Sequence, residues 1–507
     1  MPSPSEKLAR SLEALKVLQE HGEVAIRTTD LSRVHRERLL KNGFLREVMK
    51  GWYISAQPSD DSGVSTQWYT AFWGFCAAYL QTRFGSDWCL SAEQSISLHV
   101  GNRTIPRQLL VRSPHANNNV TTLPHGTSVL EVVTPTLEKA NVVVQDGMRL
   151  YSLPAALAAC SPKFFSQNPV DARVALSMIS DASEVLAVLL DGGHSTVAGR
   201  LAGAFRNIGR ERIADQITVT MRRADYVVRE IDPFEVPAPV ILATRETSPY
   251  VNRLRLMWEE MRAPIIQRFP SAPDSRSGVE HYLKRVEEIY VLDAYHSLSI
   301  EGYLVSRELI ERVRSGDWRP DGNESDAEHR HALAARGYWQ AYQAVRSSLR
   351  RVLQGENAGI VADVNHATWY GEMFAPSVAA GILAARDLAG YRNGPVYIRG
   401  SQHIPASPEV VREAMPALFD LVRDEREASV RVVMGHFVFV YIHPYMDGNG
   451  RMARFLMNLM LASGGYPWTV VPVDSRDSYM TALEEASVRQ NIAPFADYLA
   501  RLVETSH

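Results

Sequence analysis

Apolar and polar positions change rhythm along the chain. Over residues 6–20, Leu8, Leu12, Leu15 and Leu18 form one stripe, which predicts an amphipathic helix. Thr28, Thr29 and Asp30 offer an N-cap for a second helix running from Leu31 to Leu40. After Asn42-Gly43, the runs Phe44–Val48 and Trp52–Ser55 flank Lys50-Gly51 and predict a hairpin. Residues 58–245 carry short β-like runs, Gln108–Arg112 and Ser128–Val133, with a polar surface loop between them over 113–123. Helices are predicted there at 153–160, 170–190 and 196–208, giving a mixed α/β stretch. Gly192-Gly193-His194-Ser195-Thr196 imitates a nucleophile elbow, but it lacks the preceding strand and reads as a helix N-cap. Pro233, Pro237 and Pro239 mark a boundary. From 246 onward the period is helical: Tyr250–Phe269, Glu280–Ser299, His331–Leu353, Val432–Ile442, Phe455–Ala462 and Asp477–Ser487.

The segment from His443 to Arg454 is the one place where such helices meet concentrated chemistry. Pro444 ends the preceding helix, and Asp447-Gly448-Asn449-Gly450 is turn chemistry that tolerates positive φ. Backbone amides and a helix N-terminus then converge, which favours an anion. Arg451 and Arg454, three residues apart in the first turn, suit a polyphosphate better than a single carboxylate. Asp447 adds a hard oxygen ligand for Mg²⁺ carrying those phosphates, and His443 a proton acceptor near neutral pH. Together they describe attack by a hydroxyl on phosphorus.

These residues resemble the signature of the Fic family, His-Pro-Phe-x-(Asp/Glu)-Gly-Asn-Gly-Arg-x-x-Arg, with Tyr445 in place of the usual Phe. The ring is expected in the core, with a partner for its hydroxyl. Upstream, Ser297-Leu-Ser-Ile-Glu301-Gly302 matches the family's inhibitory helix, (Ser/Thr)-x-x-x-Glu-(Gly/Asn). Ser297 and Glu301 lie one turn apart on one face, and Gly302 is expected to let the helix end approach other backbone. The resemblance implies that Glu301 pairs with Arg454 in the place of a γ-phosphate. It also implies that Val396, Tyr397 and Ile398, between Gly394-Pro395 and Gly400-Ser401, form a small hairpin flap that adds a strand of target protein. Tyr479 and Leu483, at i and i+4, could wall an adenine or equally belong to the core.

By the same resemblance the activity is AMP transfer from ATP to a Ser, Thr or Tyr hydroxyl of a protein, the chain itself included. Gly448, Asn449 and Gly450 are expected at the α-phosphate, Arg451 and Arg454 at the β- and γ-phosphates. Gly450 stands where the phosphorylating branch carries Lys, which favours nucleotidyl over phosphoryl transfer. Rival readings are AMP removal with Glu301 positioning water, a different nucleotide donor, and a DNA-binding regulator that senses nucleotide without turnover.

Helix, helix and wing in residues 1–57 resemble the winged helix-turn-helix of abortive-infection type IV antitoxins. Arg33, Arg36, Arg38 and Lys41 are expected on the recognition helix and Lys50 in the wing, for DNA. The alternative is a docking domain with a solvated basic face. The fold class expected is therefore multidomain: a winged helix-turn-helix at 1–57, a mixed α/β domain at 58–245, and an all-α Fic domain with its flap at 246–507.

Composition narrows this further. A net charge of −3 predicts no general affinity for polyanions, so any DNA contact must be local. Cys76, Cys89 and Cys160 have no metal spacing and read as buried thiols in a reducing compartment. With no apolar signal core and no apolar run of about 18 residues, the expectation is a cytoplasmic protein without a membrane partner. A homodimer stays open.

Overall fold

Ser3 accepts a hydrogen bond from Glu6 N (3.2 Å) while Glu6 accepts one from Ser3 N (2.7 Å). That reciprocal box, with Pro4 in the first turn, starts helix α1 (Pro4–Glu20). The computed structural model describes residues 3–58, 64–135, 139–234, 236, 238, 248–273, 278–318, 326–388 and 390–506. The expected boundary at 245/246, and Pro237 and Pro239, lie outside the described residues. The chain groups into two units, Met1–Arg253 with Tyr397–Ile404, and Leu254–Val396 with Pro405–His507.

In the first unit, β1 (Ile26–Arg27), α2 (Arg33–Lys41), β2 (Leu45–Met49) and β3 (Trp52–Ser55) follow α1, with strand order β1-β3-β2. Leu15, Ile26, Leu31, Leu39, Leu45 and Tyr53 close a small core beneath them. Ser32, not the Thr28–Asp30 run, caps α2, accepting from His35 N. Asp30 is already engaged, because it accepts from Arg27 N (2.8 Å) and from its guanidinium.

Helix α3 (Val64–Phe84) contributes Trp68, Phe72, Phe75, Cys76, Tyr79 and Leu80 to a second core. Around it lie β4 (Cys89–Leu90), α4 (Ala92–His99), β5 (Gln108–Ser113), β6 (Val120–Thr122) and β7 (Ser128–Val133). The sheet order is β4-β5-β7-β6, with β5 and β7 parallel from Gln108↔Ser128 to Ser113↔Val133. The expected 113–123 loop thus contains an edge strand, paired through Val120↔Leu130. A two-stranded ribbon, β8 (Val142–Gln145) and β9 (Met148–Tyr151), precedes six helices. These are α5 (Leu153–Ala159), α6 (Pro162–Gln167), α7 (Pro169–Met178), α8 (Ala182–Asp191), α9 (Ser195–Asn207) and α10 (Glu211–Arg223). The single helix expected over 170–190 is two, because Asp181 and Glu184 build a capping box that restarts the chain. His194 occupies the N-cap of α9 without a side-chain bond, so the false elbow is a helix start.

Helix α11 (Pro249–Arg268) leads into the second unit, whose described regular elements are all helical. They are α12 (Val279–Ile300), α13 (Arg307–Ser315), α14 (Asp326–Leu353), α15 (Ala358–Ala379), α16 (Pro408–Asp424), α17 (Ala428–Ile442), α18 (Asn449–Ser463), α19 (Arg476–Arg489) and α20 (Ala493–Thr505). α17 and α18 form a hairpin buried on nearly every side, and α12 and α14 pack on α18. Deleting a ring such as Phe437, which is fully buried, removes about 3–5 kcal/mol by transfer and cavity terms. All three cysteines are buried and free. No helix among the described residues is long and apolar enough to cross a membrane.

Candidate active site

α17 ends on His443, whose φ of 53° turns the chain left-handed before Pro444. Asn449 fixes the loop that follows: its Oδ1 accepts from Tyr445 N (2.9 Å) and its Nδ2 donates to Tyr445 O (2.8 Å). Bonded at both ends to Tyr445, the Asn449 amide shapes the loop. Gly448, at φ 79°, precedes α18, and no side chain caps that helix. The first-turn amides are left to water or a ligand. Asp447 accepts from Gly448 N (2.6 Å), and its side chain is 63% exposed.

His443 Nδ1 lies 3.3 Å from Val440 O. A carbonyl only accepts, so Nδ1 carries the proton and Nε2 keeps a free lone pair. Burial pushes this imidazole down to about 4, so it is neutral at pH 7 and able to take a proton.

Arg451 and Arg454 are nearly fully buried on α18. The Arg451 guanidinium sits over Tyr303 (5.2 Å) and Phe374 (5.1 Å); its Nε and Nη2 make no hydrogen bond among the described residues, and Nη2 lies in an ion pair 3.5 Å from Asp447 Oδ2. Arg454 Nε donates to Ser297 Oγ (2.9 Å); its Nη2 donates to Ser297 O (3.0 Å) and Glu301 Oε1 (2.6 Å). Its Nη1 is buried without a partner. Three orphaned donors at a bare helix N-terminus fit a polyphosphate. Burial works against the Glu301 charge, but Arg454 and Arg451 outweigh it and hold the carboxyl below its usual range. Ser297 and Glu301 therefore meet Arg454 as the pattern of α12 suggests.

Gly302 departs from expectation. A Cβ there would meet nothing within 4 Å, and the residue serves by its φ of +86°, which ends α12. Close approach occurs instead at Gly450, where a Cβ would fall 2.3 Å from Glu301 Oε1.

The flap is not a hairpin: the described residues from 391 to 405 contain no strand. Pro395 removes a donor, and a side chain replaces the ladder. Arg392, 2% exposed, donates to His443 O (2.8 Å), Gly394 O (3.0 Å) and Ala406 O, while its N–H donates to Pro444 O (2.9 Å). Val396 is buried in the second unit. Tyr397 and Ile398 open the segment grouped with the first, where Gly400 N donates to Thr66 Oγ1 and Ile105 N to Gln402 O. Arg392 escaped the sequence reading because a lone arginine in a loop carries no period.

Tyr445 is fully buried and stacks on Tyr370 (3.8 Å), as a core ring should, but its hydroxyl has no partner. Tyr479 and Leu483 are 1% and 7% exposed, and Tyr479 OH meets His436 Nε2 at 2.7 Å. The Tyr479 ring packs against Phe495 and Tyr498, which is the core reading of this pair. No three-carboxylate or histidine cluster for a metal occurs among the described residues. The lone, exposed Asp447 suits a magnesium ion that brings most of its ligands as phosphate and water.

The N-terminal basic residues are split. Arg36 Nη1 donates to Thr28 O (2.9 Å), and Arg38 Nη1 to Lys7 O (2.8 Å) and Ser11 Oγ (2.9 Å), so both hold α2 in place. Arg33, paired with Glu37, and Lys41 and Lys50 are exposed.

Residues 369–461, which hold the loop and the helices around it, match the Fic/DOC family; the chain carries a Fic-family domain. Among curated relatives it is similar to protein adenylyltransferase fic-1 of Caenorhabditis elegans, 31% identical over 44% of this chain and 41% of that protein. It is also similar to protein adenylyltransferase Fic of Nematostella vectensis, 28% identical over 52% of this chain and 58% of that protein. The chain thus spans about half the length of the curated relatives it matches. A solved structure of Fic-1 residues 134–508 from C. elegans aligns with 64% of this chain and 90% of its own, at 22% identity and a TM-score of 0.38.

Proposed function

We propose that residues 246–507 transfer AMP from ATP to a Ser, Thr or Tyr hydroxyl of a protein, with Glu301 holding the reaction in check. The observation that carries this is the pair Arg451 and Arg454, buried with unused donors at an uncapped helix start, with the Glu301 carboxylate lying on one of them. In the reaction the hydroxyl oxygen bonds to the α-phosphorus, pyrophosphate leaves, and the hydroxyl proton passes to His443 Nε2. The free amides of Asn449 and Gly450, with Gly448 setting the turn, cradle the α-phosphate and the two guanidiniums the outer phosphates. Mg²⁺ bound through Asp447 would neutralise phosphate charge. Arg392 supports the base by gripping its carbonyl. A side chain at Gly450 would push the Glu301 carboxylate off its place.

Incubation with ATP labelled at the α-phosphate, and separately at the γ-phosphate, tests the reading. Label from the α-position is expected on protein and absent in His443→Ala; label from only the γ-position refutes it. A second reading is favoured by the ionised Glu301 beside His443: positioning water to remove AMP. An adenylylated substrate protein distinguishes the two directions.

Residues 1–57 read as a winged helix-turn-helix, with α2 and the β2–β3 wing offering Arg33, Lys41 and Lys50 to DNA phosphates. A shift assay on its own promoter should weaken steeply with salt. Residues 58–245 would form the intervening domain.

A further inference from the structure

The mixed sheet of the first unit holds a cavity that the Fic chemistry does not use. Its volume is about 260 Å³, and it opens beyond the C-terminal ends of the parallel strands β5 and β7. Crevices at that end of a parallel sheet are where α/β proteins place ligands. Arg112 leaves the end of β5, directly opposite Cys89 on β4, and Arg149 comes from β9.

Both guanidiniums are under-used. Arg112 Nη1 donates to Tyr151 OH (3.2 Å), but its Nε is buried with no acceptor. Arg149 Nε donates to Trp88 O (3.1 Å). Neither arginine has a carboxylate within ion-pair distance among the described residues. Trp88, only 3% exposed, lines the same cavity, and its buried indole N–H has no acceptor among the described residues. The neighbouring acids do not neutralise the two cations. Burial keeps the Cys89 thiol and the Tyr151 hydroxyl protonated, and the one described carboxylate that lines the cavity, Asp87, is engaged by His115 (3.2 Å). Pro114, Pro135 and Val142 supply apolar wall beside this cationic floor.

From this we infer that the cavity binds a small organic phosphate monoester. Two guanidinium forks match the near-double charge of such a group, whereas a single carboxylate would leave one cation unbalanced. The proline and valine wall takes the organic body. The site is independent of nucleotide transfer at His443.

Indole-¹⁵N tryptophan labelling of the full chain supplies the test, with Trp88→Phe identifying the Trp88 line. At constant ionic strength the chain is titrated with glycerol 3-phosphate, inorganic phosphate or acetate. A saturable shift of the Trp88 line is expected, tighter for the ester than for inorganic phosphate, and about tenfold or more weaker for acetate. Arg112→Met with Arg149→Met should abolish it; Arg149→Lys, which folds with its charge intact, should weaken it several-fold by losing the fork. No saturable shift with either phosphate, or the same affinity in the Arg149→Lys chain, overturns the proposal. Acetate binding as tightly as the ester overturns the phosphate assignment.

Discussion

Asp171 and Glu301 each lie against a buried guanidinium, yet the two sites are built to opposite ends. Asp171 is fully buried; it accepts from Ser97 Oγ (2.9 Å) and Asn102 Nδ2 (2.9 Å) and pairs with Arg253. Every strong donor nearby is spent on the fold. Glu301 offers one oxygen to Arg454 and keeps 23% of its side chain open, while among the described residues Arg454 Nη1 and Arg451 Nε make no hydrogen bond and Arg451 Nη2 has only Asp447 Oδ2, at 3.5 Å. A closed charge network stabilises structure, whereas an incomplete one signals where something else is meant to sit.

Substitutions can break that contrast, and the largest effect belongs at the base. His443→Ala in a Glu301→Gly background should cut α-phosphate labelling by about 10²–10⁴-fold, read by autoradiography, with thermal stability nearly unchanged. Asp171→Ala should do the reverse, lowering stability by about 3–5 kcal/mol in denaturant titration because it removes one half of a buried ion pair. Glu301→Gly should raise ATP affinity by about tenfold or more in calorimetry, with little loss of stability. If it weakens ATP binding, the carboxylate is part of the site and not a stand-in for phosphate. Smallest of all, Tyr445→Phe should stabilise by about 1 kcal/mol, since it removes a buried hydroxyl that has no partner, and leave labelling unchanged.

Acidity sharpens the same comparison. The Glu301 carboxyl is held below its unfolded value, so its contribution is complete above that value and is lost as pH falls through the folded one. Wild-type ATP affinity should therefore rise on acidification, and Glu301→Gly should not show that rise. His443, pushed to about 4, resists protonation when folded. The folded state therefore loses stability as pH drops from the ordinary histidine range toward 4, and labelling by Glu301→Gly should stay level down to about pH 5 before it falls.

The legible parts of the chain were those where local chemistry and period agree. Pro444, Gly448 and the apolar runs on either side specify helix, loop and helix without tertiary help. Ser297 and Glu301 share a face through spacing alone. Legibility failed where tertiary context decides. α3 is apolar all round and so lacks the amphipathic rhythm that marks a helix in sequence. The 170–190 helix broke at a capping box hidden inside an apolar stretch. The expected flap strand gave way to carbonyls gathered by Arg392, a residue that no pattern marks. The cavity at the sheet end draws on residues scattered from Ser86 to Arg149, and only the strand pairing brings them together.

Gly450 has a consequence of its own. Because the space a methyl group would need is taken by Glu301 Oε1, a change at position 450 is also a change at position 301, although the reverse does not hold. Alanine there would evict the glutamate while crowding the very donors it was guarding, so lock and keyhole share a single hydrogen atom's worth of clearance.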